Sequence, residues 1–228
     1  MILSGVLVNG LGVVAGGLAG LLLKQGISEK VKTLLMQSLA LGVLYVGLSE
    51  VGGGHNTVYI IVSLTIGAII GETINFDQYF HAFGEWIQKK IPVSGETSLA
   101  EGFVSCTLFI CPGAMAIVGS LECGLGGGCD VLYAKALIDL IFALIMATTL
   151  GMGVALAAVS VLTYESFLTL SASFISRFLT DIVVDEITCV GSVLVVALGL
   201  NLLKVTNIKI SNLILAPFIP ILLYAVWG

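Results

Sequence analysis

SLAEGFVSCTLFICPGAMAIVGSLECGLGGG, residues 98–128, is apolar enough to enter a bilayer and is built to break in its middle. Pro112 has no N–H, so the carbonyl of Leu108 loses its helical partner, and the proline ring crowds that same carbonyl. Gly113 follows directly and adds backbone freedom. In hydrocarbon an orphaned carbonyl is costly, and irregular backbone persists there only where protein or a watery cavity satisfies it. Two readings are open. One is a proline kink of the kind membrane helices tolerate. The other is a discontinuous helix or re-entrant loop whose backbone, from Cys111 through Pro112 and Gly113 to Met115, lines a site.

The surrounding sequence puts this stretch in a membrane protein. Of 228 residues, 58% are hydrophobic and 10% charged, and the mean hydropathy is +1.13. Soluble domains carry about 25% charged residues, so too few remain here to cover a water-facing surface. Several apolar runs reach the roughly 20 residues that cross a bilayer. The fold class is therefore all-α, a polytopic transmembrane helical bundle of six to eight segments. Long linkers and low-complexity tracts are absent, so 1–228 reads as one integral membrane domain. The opening MILSGVLVNGLGVVAGGLAGLLLK lacks a basic stretch before its apolar run, which is also longer than the about 7–15 residues of a signal-peptide core. It reads as a first span.

Within that span, Gly5, Asn9, Gly12, Gly16 and Gly20 recur at helical steps and share one face. Gly12, Gly16 and Gly20 form a small-xxx-small stripe suited to close helix packing, so Asn9 looks into a packing face and not at lipid. Asn9 is then either an interhelical hydrogen bond or a ligand to substrate or ion. Further spans are predicted at about 31–51, 57–75 (with Gly67 and Gly71 on one packing face), 98–120, 131–159, 162–180, 187–205 and 208–227. The run 131–159 is too long to stand upright and should tilt or extend into water. The run 162–180, bracketed by Glu165 and Arg177, is barely long enough, and 208–227 is broken again by Pro217 and Pro220. Residues 76–91, FDQYFHAFGEWIQKKI, interleave aromatics with charge and read as an amphipathic helix lying in the interface.

If all eight runs cross, seven of the nine basic residues share one side, leaving Lys135 and Arg177 opposite. The positive-inside rule makes that side cytoplasmic and places both termini outside. A six-span alternative, with 98–120 re-entering and 162–180 in the interface, gives the same termini. There is also a faint internal echo between LALGVLYVGLSEV (39–51) and GSVLVVALGLNLLKV (191–205). The two spans run in opposite directions, as an inverted repeat requires.

Asp139 is the strongest candidate for chemistry, because an ionisable group two turns into an apolar helix is costly unless paired or solvated. Its plainer role is a salt bridge to Lys135, one turn away. Glu72 and Glu101 lie nearer segment ends, where they are either solvated or functional, and Glu101 also offsets the dipole of the helix it opens. Asn201 is a polar group in the span 187–205. Of the five cysteines, Cys123 and Cys129 flank a glycine-rich loop and can pair if it faces an oxidising compartment. No histidine stands at metal-ligand spacing from them, so no metal or cofactor is expected. The sequence carries no Ser-His-Asp grouping, HExxH or phosphate-cradling loop, which argues against an enzyme.

The residues EGFVSCTLFICPGAMAIVGSLECGL…LYAKALIDLIFA (101–143) resemble the YdfK/YqgA-type family of bacterial and archaeal membrane proteins, a domain of unknown function. The resemblance rests on Glu101-Gly102-Phe103, Cys111, Gly113-Ala114-Met115, Gly119-Ser120, Gly124, Lys135 and Asp139. It extends to Asn9 with its trailing glycines, Gly71-Glu72 and Gly199–Leu203, covering nearly the whole chain in order. At position 112 the family pattern has valine or another small residue where this chain has proline. The resemblance implies a protein of the bacterial or archaeal plasma membrane and brings no substrate. The residues themselves point to a small secondary transporter or channel-like permease for an ion or small polar solute. Asn9, Glu72, Glu101, Cys111–Met115, Asp139 and Asn201 would lie along its pathway. The alternative is a non-transporting scaffold, assembly or sensor subunit. Its small size favours a homo-oligomer, a dimer or larger, with the bilayer as its other partner and no nucleic acid.

Overall fold

The computed structural model describes residues 2–24, 28–79, 82, 99–111, 114–176 and 178–227. Among these the regular structure is entirely helical. The chain forms α1 (Ser4–Lys24), α2 (Glu29–Val51), α3 (Thr57–Ile74), α4 (Leu99–Ile110), α5 (Ala114–Gly124), α6 (Asp130–Leu150) and α7 (Gly153–Leu170). A short α8 (Ala172–Ile175) leads to α9 (Asp181–Leu202), then two 3-10 turns (Ile210–Leu213 and Ala216–Phe218) lead to α10 (Ile219–Trp227). Among the described residues, six stretches are long and apolar enough to cross a membrane: α1, α3, α6, α7, α9 and Ile210–Trp227. The α4–α5 pair passes the same test with a 67° bend, and α2 adds a shorter apolar helix, Met36–Val51. The chain is thus an all-α polytopic bundle. Pro112 and Gly113 lie outside the described residues, as does most of the expected interfacial helix 76–91 beyond Tyr79.

Local chemistry fixes several boundaries. Asn56 starts α3 by accepting hydrogen bonds from the N–H groups of Val58 (3.0 Å) and Tyr59 (3.3 Å). Asn75 ends it in the left-handed region, φ 60°. The second helical hairpin differs from the sequence reading. The expected spans 131–159 and 162–180 are instead α6 and α7, divided at Gly151-Met152-Gly153, where Gly151 takes φ 75°. A residue with a side chain rarely adopts that conformation, so a single glycine sets the turn and shifts both helices. Pro217 opens the second 3-10 turn and Pro220 falls in the first turn of α10, where a missing N–H is harmless.

Packing follows the glycines. α1 lies parallel to α6: Gly5 meets Leu132, Gly12 the backbone at Ala136, Gly16 the carbonyl of Leu140, and Gly20 that of Leu144. A methyl group at Gly16 or Gly20 would overlap those carbonyl oxygens, so backbone rests directly on backbone. On its other side α1 runs antiparallel to α7, with Gly10 against Leu162 and Gly17 against Ala155. α2 runs antiparallel to α9, Gly47 meeting Val196 and Gly199 meeting Leu44. α3 runs antiparallel to the last segment, Gly67 on Ala216 and Gly71 on Asn212. The first three spans therefore pair, in order and antiparallel, with the last three. The α4–α5 pair threads between: Gly102 abuts the Gly151–Gly153 turn, and Gly124 abuts Thr169 and Ala172 at the far end of α7. A core of Val13, Val43, Phe103, Met146, Leu150, Val154 and Leu194 joins the two sets.

Cys123 and Cys129 form a disulfide that closes the α5–α6 loop, in which Gly126 and Gly128 take positive φ. Cys123 Sγ sits 3.0 Å from the carbonyl oxygen of Ile2. We refer to this end of the bundle as proximal and to the end carrying the Gly151–Gly153 turn as distal.

Candidate functional site

In the proximal half, three helices converge on four polar side chains. α1 brings Asn9 (0% exposed), α6 brings Lys135 and Asp139 (both 4%), and α7 brings Glu165 (1%). One helical turn separates Lys135 from Asp139, so both point the same way and form an ion pair. Lys135 Nζ also lies 3.6 Å from Glu165 Oε1, and Asn9 Nδ2 donates to that oxygen at 2.7 Å. Glu165 Oε2 and Asn9 Oδ1 are buried without a hydrogen-bond partner in the protein. Burying charge is expensive, and the mutual attraction offsets that cost only when geometry and hydrogen bonding are good. Three ionisable groups and an amide in one dry spot therefore call for a function.

Two cavities lie end to end along the α4–α9 interface. The distal cleft, of about 510 Å³, is lined by Glu101, Ser105 and Leu108 of α4, Leu198, Asn201 and Leu202 of α9, and the 206–211 loop. The proximal pocket, of about 160 Å³, is lined by Glu50 of α2, Met115, Lys135 and Asp139, with Ser192 and Val195 of α9. Ser192 Oγ donates to Glu50 Oε2 at 3.1 Å on its wall. Between the cavities stand Leu108, Ile110, Val195 and Leu198, all buried. Residues 191, 195, 198 and 202 follow one face of α9, so both cavities share a single wall.

The other sequence candidates fall in separate places. Asn201 organises the distal loop, with Nδ2 donating to the Ile208 carbonyl (2.8 Å) and Oδ1 accepting from Thr206 Oγ1 (2.7 Å) and Ile208 N (3.0 Å). Glu72 is exposed, pairs with Lys209 (3.0 Å) and accepts from Asn212 Nδ2 (2.6 Å), fastening α3 to the last segment. Neither is part of the buried cluster. Cys111 instead borders an apolar groove of about 500 Å³ with Tyr164, Phe167 and Phe218. Glu165 is the residue the sequence reading placed at the edge of 162–180, a run barely long enough to span. Its signal was the Gly151-Met152-Gly153 turn, which moves it five residues inside the end of a true span. Glu186 is buried as well, but His55 N (3.0 Å) and Asn56 N (2.6 Å) donate to its Oε1 and give it a loop-holding task. Among the described residues, no group of three or more histidine, cysteine, aspartate or glutamate side chains is arranged to hold a metal ion.

The family profile described as protein of unknown function (DUF554) matches residues 4–225. The chain belongs to the DUF554 family. It is 28% identical to "Uncharacterized membrane protein YdfK" of Bacillus subtilis (strain 168), over 95% of this chain and 93% of that protein. It is 24% identical to "Uncharacterized protein YqgA" of Escherichia coli (strain K12), over 98% and 97%. No solved structure matches the chain. The likeness to YdfK and the apolar helices agree that this DUF554 chain is a membrane protein.

Proposed function

We propose that this DUF554 chain is a small secondary transporter or channel-like permease for an ion or small polar solute. The observation that carries the reading is the pair of cavities on one wall of α9, separated by a thin apolar plug, with a buried charged cluster facing one of them. Such a layout fits an occluded pathway, with a cavity toward each end and a closed middle. α4–α5 acts as the discontinuous helix at 98–120, a broken span that follows the full length of α7 and contributes residues to both cavities. Three helices packed antiparallel on three others supply the inverted-repeat frame on which many transporters rock. An enzymatic role is not part of this reading.

The chain resides in the plasma membrane of a bacterium or archaeon with both termini outside. Two independent features support that orientation. Lys24, Lys204 and Lys209 gather at the distal end, which positive-inside bias makes cytoplasmic. The disulfide sits at the proximal end, which then faces the oxidising side. A scaffold, assembly or sensor subunit, the alternative, would use its glycine faces to dock a partner. Gly12, Gly16, Gly20, Gly67 and Gly71 are all occupied within the chain, which weakens it. Homo-oligomerisation, as a dimer or larger, suits either reading.

The test is flux. Purified protein in proteoliposomes is challenged with rapid gradients of monovalent ions and of small zwitterionic and anionic solutes while current and uptake are recorded. A signal absent from empty liposomes and lost in Asp139→Asn supports transport. Uptake or efflux of every solute unchanged by Asp139→Asn would sink it.

A further inference from the structure

The buried cluster has a charge imbalance. Lys135 contributes one ammonium group against two carboxylates, Asp139 and Glu165, and Asn9 adds none. Fully ionised, the group carries one uncompensated negative charge in a water-excluded place, which the interior tolerates only with a counter-charge or a proton. Among the described residues, the groups facing Glu165 are few: Lys135 and Asp139 from α6, Asn9 from α1, the Cys111 thiol after α4 and the neighbouring Tyr164 of α7. None but Lys135 is cationic, and Asp139 already engages Lys135.

A metal cation fits poorly as the missing charge. The ammonium of Lys135 occupies the space between the carboxylates, and a hard cation needs several oxygen ligands that this cluster does not provide. A proton needs one oxygen. Glu165 Oε2 is the buried carboxylate oxygen of the cluster without a hydrogen-bond partner, while Oε1 is held by Asn9 and Lys135. Access also has a direction, because the proximal pocket is lined by Lys135 and Asp139 but not by Glu165. Lys135, which lines that pocket, also lies 3.6 Å from Glu165 Oε1, so the ion pair links the buried carboxylate to the pocket.

We infer that the Asn9–Lys135–Asp139–Glu165 cluster is a proton-binding site, with Glu165 carrying the proton and Lys135–Asp139 standing between it and the proximal pocket. A proton leaves water in the pocket and ends on Glu165 Oε2, taking the cluster from a net charge of minus one to neutral, and it returns by the reverse step. As the site of a coupling ion the cluster rests on the transport reading; as a proton site it stands without it.

The experiment is pH-difference infrared spectroscopy of the full chain in nanodiscs, with the proton as probe and exchange into D₂O as a check. The wild type shows a carbonyl-stretch band of a protonated carboxylic acid that rises as pH falls and shifts in D₂O. Glu165→Gln removes that band. Asn9→Leu keeps it and moves it to higher frequency, because the hydrogen bond onto the same carboxyl group is gone. The second variant decides the matter where Glu165→Gln does not fold. A band that survives Glu165→Gln, a band indifferent to Asn9→Leu, or no titrating band in the wild type overturns the inference. Should the band behave as described while proteoliposomes pass no solute, the proton site stands and the transport reading falls. Flux without the band means the reverse: transport stands and the proton site falls.

Discussion

Asn9 of α1 donates a 2.7 Å hydrogen bond to Glu165 of α7, 156 residues away in sequence, with both side chains buried. The bond fixes the crossing point of two antiparallel spans and holds one oxygen of a carboxylate that Lys135 also approaches. Removing Lys135 should therefore leave two buried carboxylates facing each other. Lys135→Met is expected to destabilise by about 3–5 kcal/mol, the usual cost of orphaning a buried charge. Adding Asp139→Leu should recover part of that loss. A double-mutant cycle of unfolding in detergent measures it, and equal losses in the single and double variants would contradict the pairing.

Glycine positions separate sharply by what a methyl group would meet. Gly16→Val would drive a side chain into the carbonyl oxygen of Leu140, so the loss should at least match the about 1–3 kcal/mol of ordinary overpacking. Gly42 of α2 has nothing within 4 Å of an added Cβ. Gly42→Ala should gain about 0.5–1 kcal/mol from helix preference. Thermal aggregation followed by fluorescent gel filtration ranks the two.

Water access along α4–α5 has a predicted pattern. On a cysteine-free background, Glu101→Cys and Ser105→Cys should react with a water-soluble thiol reagent from the distal cleft, and Met115→Cys from the proximal pocket. A single cysteine kept at Cys106, fully buried and lining neither cavity, should stay protected. Protection at Met115 together with Ser105 would mean a packed kinked helix without a pathway.

Orientation is checked through the disulfide. In intact cells, a membrane-impermeant reductant followed by an impermeant maleimide should label Cys129, which is partly exposed, while sparing the buried Cys106, Cys123 and Cys189. Labelling that appears only after permeabilisation reverses the assignment of the two ends.

Much of this architecture was legible from composition, because apolar length alone identifies α1, α3 and α9. The glycine face of α1 also marked Asn9 as inward-looking, since its step pattern survives any change of neighbour. Asp139 stood out because a charge interrupts an otherwise apolar helix. The division between α6 and α7 did not, because hydropathy continues unbroken through Gly151-Met152-Gly153 and only the positive φ of Gly151 reveals the turn. Displacing that boundary hid Glu165 at the margin of a doubtful span. Its partnership with Asn9 is a tertiary fact that no local pattern encodes. Glu72, already set apart as nearer a segment end, and Asn201 were further candidates, and their positions at helix ends give them loop-fastening hydrogen bonds.

The parallel seam between α1 and α6 has a consequence for biosynthesis. Its two sides are separated by more than a hundred residues, as the proximity of Ser4 and Cys129 illustrates. α1 therefore enters the bilayer long before its tightest neighbour exists. Until then its groove of bare backbone and its lone amide face lipid or a chaperone-like insertase. The nascent chain must protect that groove through the synthesis of the intervening helices, so mutations in the stripe should be felt as failed insertion yield before they are felt as weakened folded protein.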